Sequence, residues 1–265
     1  MKAGAFDYAR PKDLAEAVRL LSTENSKILA GGQSLGPMLN LRAVQPALLV
    51  DLRAIEELKS FNEDRASVTL GACITHAQIE DGRVPDPTHG FMREIAANIA
   101  YRAVRNRGTV GGSLAHADPA ADWPSALTLL GATVVIAGPG GRRELLVEKF
   151  FTGLFDTALR AGEILVAIRV PKRSAAARYG FWKFCRKAGE FPQAIGGALA
   201  DPERNEARAV IGATQGAPHL FADAESVFRH KDFLAAADAA GAGNDPYNRQ
   251  LHAVALKRAA EKALS

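Results

Sequence analysis

Two cysteines, Cys73 and Cys185, are all that the 265 residues contain, and they stand more than a hundred positions apart. That spacing excludes a disulfide framework and a C-x-x-C metal pair within the chain. Two thiols also fall short of the four that usually hold an iron–sulfur cluster. No uninterrupted apolar run approaches the roughly 20 residues that a bilayer span requires, so no membrane span is expected. No block of five or six like charges occurs, and the net charge is +4. Mild, dispersed basicity points to an anionic ligand rather than to nucleic acid. The opening "MKAGAFDYARPKDLAEAV" has no apolar core of the secretory kind, and a reduced, cytoplasmic protein is expected. What is present is ordinary for a globular protein: 48% hydrophobic and 23% charged residues, in a chain long enough for two or three subdomains.

Along the chain, helical spacing of Leu14, Ala15, Val18 and Leu21 predicts a helix over residues 11–23, with Pro11 near its start. "SKILAGG" reads as a strand ending at glycines, residues 37–43 as a short helix or turn, and "PALLVDL" as a second strand. A loop at the carboxyl end of the first strand is where open α/β sheets bind ligands. "SVTLGACITHAQIE" predicts a strand and then a helix capped by Thr75. Residues 92–107 begin helically and lead into a second glycine turn. A helix at "SALTLLG", a hairpin turning at Gly138-Pro139-Gly140-Gly141, and a strand over 163–171 follow. Past the small-residue stretch "KRSAAA", three strands ("RYGFWKFCRK", "QAIGGALA", "EARAVIGAT") precede a helix from Pro246 to Leu264. Helices and strands without strict alternation predict an α+β fold in several lobes.

Two glycine turns carry the chemistry. The first, Ala30-Gly31-Gly32-Gln33-Ser34, lies in a stretch where Gly32 to Gly36 match G-x-S-x-G, the signature of a nucleophilic serine. The second is Thr109-Val110-Gly111-Gly112-Ser113. Each pairs glycines with a hydroxyl, and two such loops can converge on a diphosphate, whose charge backbone N–H groups stabilise when the chain approaches closely. A P-loop is disfavoured, because Pro37 and Met38 stand where Lys and Ser/Thr are required; G-x-G-x-x-G fails at Gln33. A serine hydrolase is disfavoured by context: no His-Gly-Gly loop precedes Ser34. His116, Asp118 and Asp122 lack the spacing and the fourth partner of a metal site, and Asp118 before Pro119 is expected to cap a short helix.

At "LAGGQSL" and "RNRGTVGGSLAHADPAADWP" the sequence resembles the FAD-binding subunit of the molybdenum hydroxylases, the family of the flavin subunits of carbon monoxide dehydrogenase and xanthine dehydrogenase. The resemblance runs from "FDYARPKDLAEAV" to "PYNRQLHAVALKRAAEKAL". It implies a two-lobed FAD-binding domain over residues 1–172, with a small N-terminal α/β lobe (1–56) and a middle, mainly antiparallel lobe (57–172). A C-terminal α+β domain (173–265) with a three-stranded antiparallel sheet and helices would follow. It implies that Leu29, Ala30, Gly31, Gly32, Gln33, Ser34, Leu35 and Gly36 wrap the FAD diphosphate, and that Thr109, Val110, Gly111, Gly112 and Ser113 form a second binding loop. Ile99 would line the cofactor, Asp122 would reach ribose or adenine polar groups, and Leu165 and Lys183 would add contacts. Where the family more often has a second arginine and an aspartate, "RKAGEF" carries Lys187 and Glu190.

The function so implied is electron transfer, with no side chain acting as catalytic acid or base, since the hard chemistry belongs to the cofactor. The molybdenum cofactor and [2Fe–2S] clusters would lie on partner chains, a large and a small subunit, in a dimer of heterotrimers. A stand-alone FAD oxidase of related fold is the alternative.

Overall fold

The computed structural model describes residues 2–265 and is built on three larger sheets and one two-stranded ribbon. The first holds β1 (Asp7–Ala9), β2 (Ser26–Leu29) and β3 (Leu48–Asp51), parallel in the order β1-β3-β2. β1 escaped the sequence reading because "DYA" is only three residues long and mostly exposed, with no apolar run to announce it. Between β1 and β2 runs α1 (Leu14–Leu20), shorter than expected because Asp13 rather than Pro11 starts it: the Asp13 carboxylate accepts from the Glu16 amide. Between β2 and β3, α2 (Leu35–Asn40) begins two residues before the expected position, directly after Ser34.

The second sheet is antiparallel and five-stranded. Its strands are β4 (Phe61–Glu63), β5 (Ser67–Gly71), β6 (Thr133–Gly138), β7 (Gly141–Leu146) and, after a small hairpin of β8 (Phe151–Gly153) and β9 (Asp156–Thr157), β10 (Ile164–Pro171). The order is β4-β5-β10-β6-β7. Five helices lie between β5 and β6: α3 (His76–Glu80), α4 (Phe91–Ala97), α5 (Arg102–Arg105), α6 (Val110–His116) and α7 (Asp122–Leu129). Thr75 caps α3 as expected, in a full capping box with Gln78. Trp123, Leu127 and Leu129 of α7 pack with Val68, Leu70, Val134, Ile136 and Ile168 of the sheet in the largest apolar core.

The third sheet corrects the expectation of three strands. β11 (Arg178–Phe184), β12 (Ala194–Asp201) and β13 (Glu206–Gly212) are joined by a fourth, β14 (His219–Phe221), in that antiparallel order. β14 hides in the sequence because only three residues pair, within a stretch rich in turn residues. Helices α8 (Glu225–His230), α9 (Phe233–Ala239) and α10 (Pro246–Leu264) cover one face, and α10 keeps the boundaries its pattern predicts. α10 lies flush on β11, where a Cβ on Gly180 would come within 1.8 Å of the Ala259 carbonyl oxygen. On the other side Leu199 and Val210 join the core of the second sheet. Arg173 and Arg208 donate to the carbonyls of Leu130 and Leu129, placing two cations at the carboxyl end of α7. No helix among the described residues is long and apolar enough to cross a membrane.

Candidate cofactor site

The two glycine segments meet. Gly31 lies so close to the chain before the second segment that a Cβ there would stand 2.2 Å from the Arg107 carbonyl oxygen and 2.8 Å from the Gly108 Cα. Gly32 turns with φ +73°, a conformation that costs a side-chain-bearing residue energy. Around this junction opens a cavity of about 1090 Å³. It exceeds the roughly 300–1,000 Å³ of common small-molecule pockets, as an extended dinucleotide requires.

The two segments play different parts. In the first, the Gly36 amide donates to the Gly32 carbonyl, but the amides of Gln33, Ser34 and Leu35 find no protein acceptor among the described residues. Ser34 stands at the start of α2 with its hydroxyl making no cap. Three amides and a hydroxyl are therefore free to face an anion. The second segment is not a turn, as the glycines suggested, but the first turn of α6. Four of its five amides are engaged: Val110 donates to Ile74, Gly111 to Ala72, Ser113 to the Thr109 carbonyl, and Gly112 to the Thr109 hydroxyl, while the Thr109 amide has no acceptor among the described residues. Gly111 is needed for contact rather than for a turn, since a Cβ there would sit 2.4 Å from that of Ala72. What remains for a ligand is the Thr109 amide, the side chain of Ser113 and the small surface of Gly112.

Thirteen of the residues singled out from the sequence border the cavity: Ala30, Gly31, Gly32, Gln33, Ser34, Leu35, Ile99, Thr109, Gly112, Ser113, Asp122, Leu165 and Lys183. The other four do not. Val110 and Gly111 are buried in the first turn of α6. Leu29 underlies the loop, its side chain 3.2 Å from where a Gly32 Cβ would be, and Gly36 faces open space. Ile99 is held in place by a backbone device: Ala100 turns with φ +42°, and the Arg105 guanidinium donates to the Ile99 carbonyl at 3.1 Å while gripping Glu80 with two further bonds. A left-handed alanine is strained, and the ion pair over-determines it.

Asp122 and Lys183 form one unit. Lys183 Nζ lies 2.8 Å from Asp122 Oδ1 and 2.8 Å from the Asn98 carbonyl oxygen. Lys183 is thus no exposed strand lysine; it reaches from β11 across the cavity wall to α7. Burial pushes the Asp122 carboxyl above its usual range, and the Lys183 ammonium pulls it back down. The trio His116, Asp118 and Asp122 goes three ways. His116 packs on the Phe155 ring, and Asp118 accepts from the Ala120 amide, capping a turn rather than the expected helix. Among the described residues no three metal-ligating side chains gather.

Sequence reasoning missed several wall residues, notably His76, the loop 159–163 before β10, and the loop 189–192 between β11 and β12. Tyr101 shapes the last of these by donating to the Ala188 carbonyl at 3.0 Å. Only Thr75, the cap beside His76, carried a local signal; the rest arrive through tertiary contacts.

The donor set fits an anionic nucleotide, and comparison with known proteins agrees. Residues 4–173 match the family described as the FAD binding domain in molybdopterin dehydrogenase. The chain is 34% identical over 266 residues to the nicotine 6-hydroxylase medium subunit of Paenarthrobacter nicotinovorans, covering 97% of this chain and 93% of that one. It is 37% identical over 191 residues to the carbon monoxide dehydrogenase medium chain of Hydrogenophaga pseudoflava, covering 71% and 67%. Among solved structures, carbon monoxide dehydrogenase from H. pseudoflava superposes with a TM-score of 0.90 at 31% identity, over 100% of this chain and 99% of that one. Quinoline 2-oxidoreductase from Pseudomonas putida 86 gives 0.84 at 32% identity, over 99% and 98%.

Proposed function

Because this chain belongs to the family of FAD-binding domains of molybdopterin dehydrogenases, we propose that it is the flavin subunit of a molybdenum hydroxylase complex, passing electrons from [2Fe–2S] clusters on a partner chain to an external acceptor. The observation that carries this reading is the set of unspent amides at Gln33, Ser34 and Leu35 beside the close approach of Gly31 to Gly108. It is a cradle for a diphosphate, not a nucleophile elbow: Ser34 has no histidine or carboxylate hydrogen-bonded to it among the described residues.

The thirteen sequence-expected residues that border the cavity form the FAD contacts in this proposal, in three roles, with Leu29, Gly36, Val110 and Gly111 shaping the backbone behind them. Gln33, Ser34 and Leu35 donate to phosphate oxygens, and Ser113 adds a hydroxyl from the facing wall. Ile99 and Leu165 supply apolar wall and exclude water. Asp122, held by Lys183, keeps Oδ2 free for a ligand hydroxyl. Bound FAD supplies the one- and two-electron chemistry, and the protein's task is to hold and orient it. With two cysteines the chain cannot itself ligate a four-thiolate cluster, which supports clusters and the molybdenum centre on large and small partner subunits. A dimer of such heterotrimers is part of the proposal. So is the division into an FAD-binding domain over 1–172, with lobes 1–56 and 57–172, and a C-terminal domain over 173–265; the family match ending at residue 173 supports it.

The test is co-expression of the chain with its two partner subunits, followed by rapid-mixing spectroscopy. Flavin bleaching by the complex's substrate is expected only when all three chains are present. Bleaching of the flavin in the isolated chain by an organic substrate would instead make it a self-sufficient oxidase.

A further inference from the structure

His76 is a polar side chain with an unspent donor at the heart of the cavity. It opens α3, it is a buried residue only 5% exposed, and it borders the cavity. On one side Trp123 Nε1 lies 3.0 Å from His76 Nδ1. An indole N–H can only donate, so Nδ1 accepts and the ring proton resides on Nε2. That Nε2 has no hydrogen-bond partner among the described residues, and it is not one of the buried polar atoms sealed from solvent. The ring edge bearing Nε2 abuts Gly108, where a Cβ would come within 2.8 Å of the nitrogen. Gly108 is in turn the residue against which Gly31 is pressed. The donor therefore sits at the joint of the two segments, on the wall of the same cavity as the free amides of residues 33–35.

We propose that His76 is a cofactor-binding residue: its Nε2–H, fixed in that tautomer by Trp123, donates a hydrogen bond to a diphosphate oxygen of the bound nucleotide. This rests on the FAD reading above and adds a residue that neither glycine motif contains. Three features favour a diphosphate over the flavin ring as acceptor. The donor adjoins Gly108, against which the phosphate-facing loop packs through Gly31. The amides of Val110, Gly111, Gly112 and Ser113 are already engaged, so the first turn of α6 offers no backbone donor of its own. And a buried neutral imidazole supplies a directed donor without a second charge to desolvate.

The experiment uses the full chain with three probes, FAD, ADP and FMN, each titrated by flavin fluorescence or by competition, against His76→Leu and His76→Gln. Gln places an amide N–H near the position of Nε2, so it serves as the conservative variant. A hydrogen bond to a charged acceptor makes the expected loss for His76→Leu about ten- to hundredfold in FAD affinity. A parallel loss is expected for ADP, which shares the diphosphate, with substantial recovery in His76→Gln. If His76→Leu binds FAD as tightly as the unaltered chain, the proposal is overturned. If only FMN binding suffers, the donor serves the flavin half and the diphosphate assignment is wrong. If Gln and Leu weaken all three probes alike, with matching losses of melting temperature, the residue is structural and the proposal also fails. If the unaltered chain binds none of the probes, it is the FAD reading that falls.

Discussion

At the residue scale, Gly31 is where sequence and site coincide most closely. A methyl group there meets the Arg107 carbonyl at 2.2 Å, a contact that backbone must move to relieve. Gly31→Ala should therefore separate the two segments, costing about 1–3 kcal/mol of stability and most of the FAD affinity, read by thermal melting and flavin retention on gel filtration. Intact FAD retention in a folded Gly31→Ala chain would contradict the close-approach account. His76 supplies a second prediction. Burial, then the Arg105 cation, holds its imidazole down to about 4 from an ordinary 6.5. The unfolded chain thus takes up a proton at this site before the folded chain does. The sign follows: this contribution is whole above about pH 6.5 and is lost as pH falls toward 4, reaching about 3 kcal/mol at the acid end. Urea melts between pH 7 and 4.5 should show a steeper acid loss in the native chain than in His76→Leu; equal slopes would refute it. The glycines and Ser34 were legible because their spacing is local, and Asp122 through the resemblance carried by the segment around it. His76 was not, because what makes it functional is Trp123, 47 positions away, and nothing local encodes that bond.

At the scale of elements, most boundaries were legible where a periodic pattern met a cap or a breaker, as at Thr75 of α3 or Pro246 of α10. The failures share a cause. β1 and β14 are three-residue strands that exist because a neighbour pairs with them. α6 was read as a turn since two glycines disfavour a helix by roughly 1 kcal/mol each. Thr109 offsets this by capping the Gly112 amide, and the burial of Val110 and Leu114 fixes the helix against β5 and its neighbours. The link between β11 and α7 through Lys183 and Asp122 yields a further prediction. Asp122 is buried, and removing the ammonium would leave its carboxylate uncompensated. Lys183→Met should cost about 3–5 kcal/mol, and Lys183→Met with Asp122→Asn should recover much of it. A double-mutant cycle in denaturant measures the coupling, and additive losses would show that the pair is not a unit.

At the scale of the whole molecule, the cavity is a product of assembly rather than of any one layer. The parallel sheet contributes the free amides after β2, the antiparallel sheet contributes α6, α7 and β10, and the C-terminal sheet contributes Lys183 and the loop after β11. The α+β class could be read from the order of elements. The convergence of segments eighty residues apart could be inferred only because both carry the same glycine–hydroxyl pattern. The central claim is that this cavity holds one FAD. It is tested most directly by titrating the folded, flavin-free chain with FAD and following flavin fluorescence and visible absorbance. The account predicts saturation at one FAD per chain, with Ser34→Ala weakening it by about tenfold or more through loss of a hydrogen bond to a charged group. A chain that is folded by circular dichroism yet binds no FAD would contradict it.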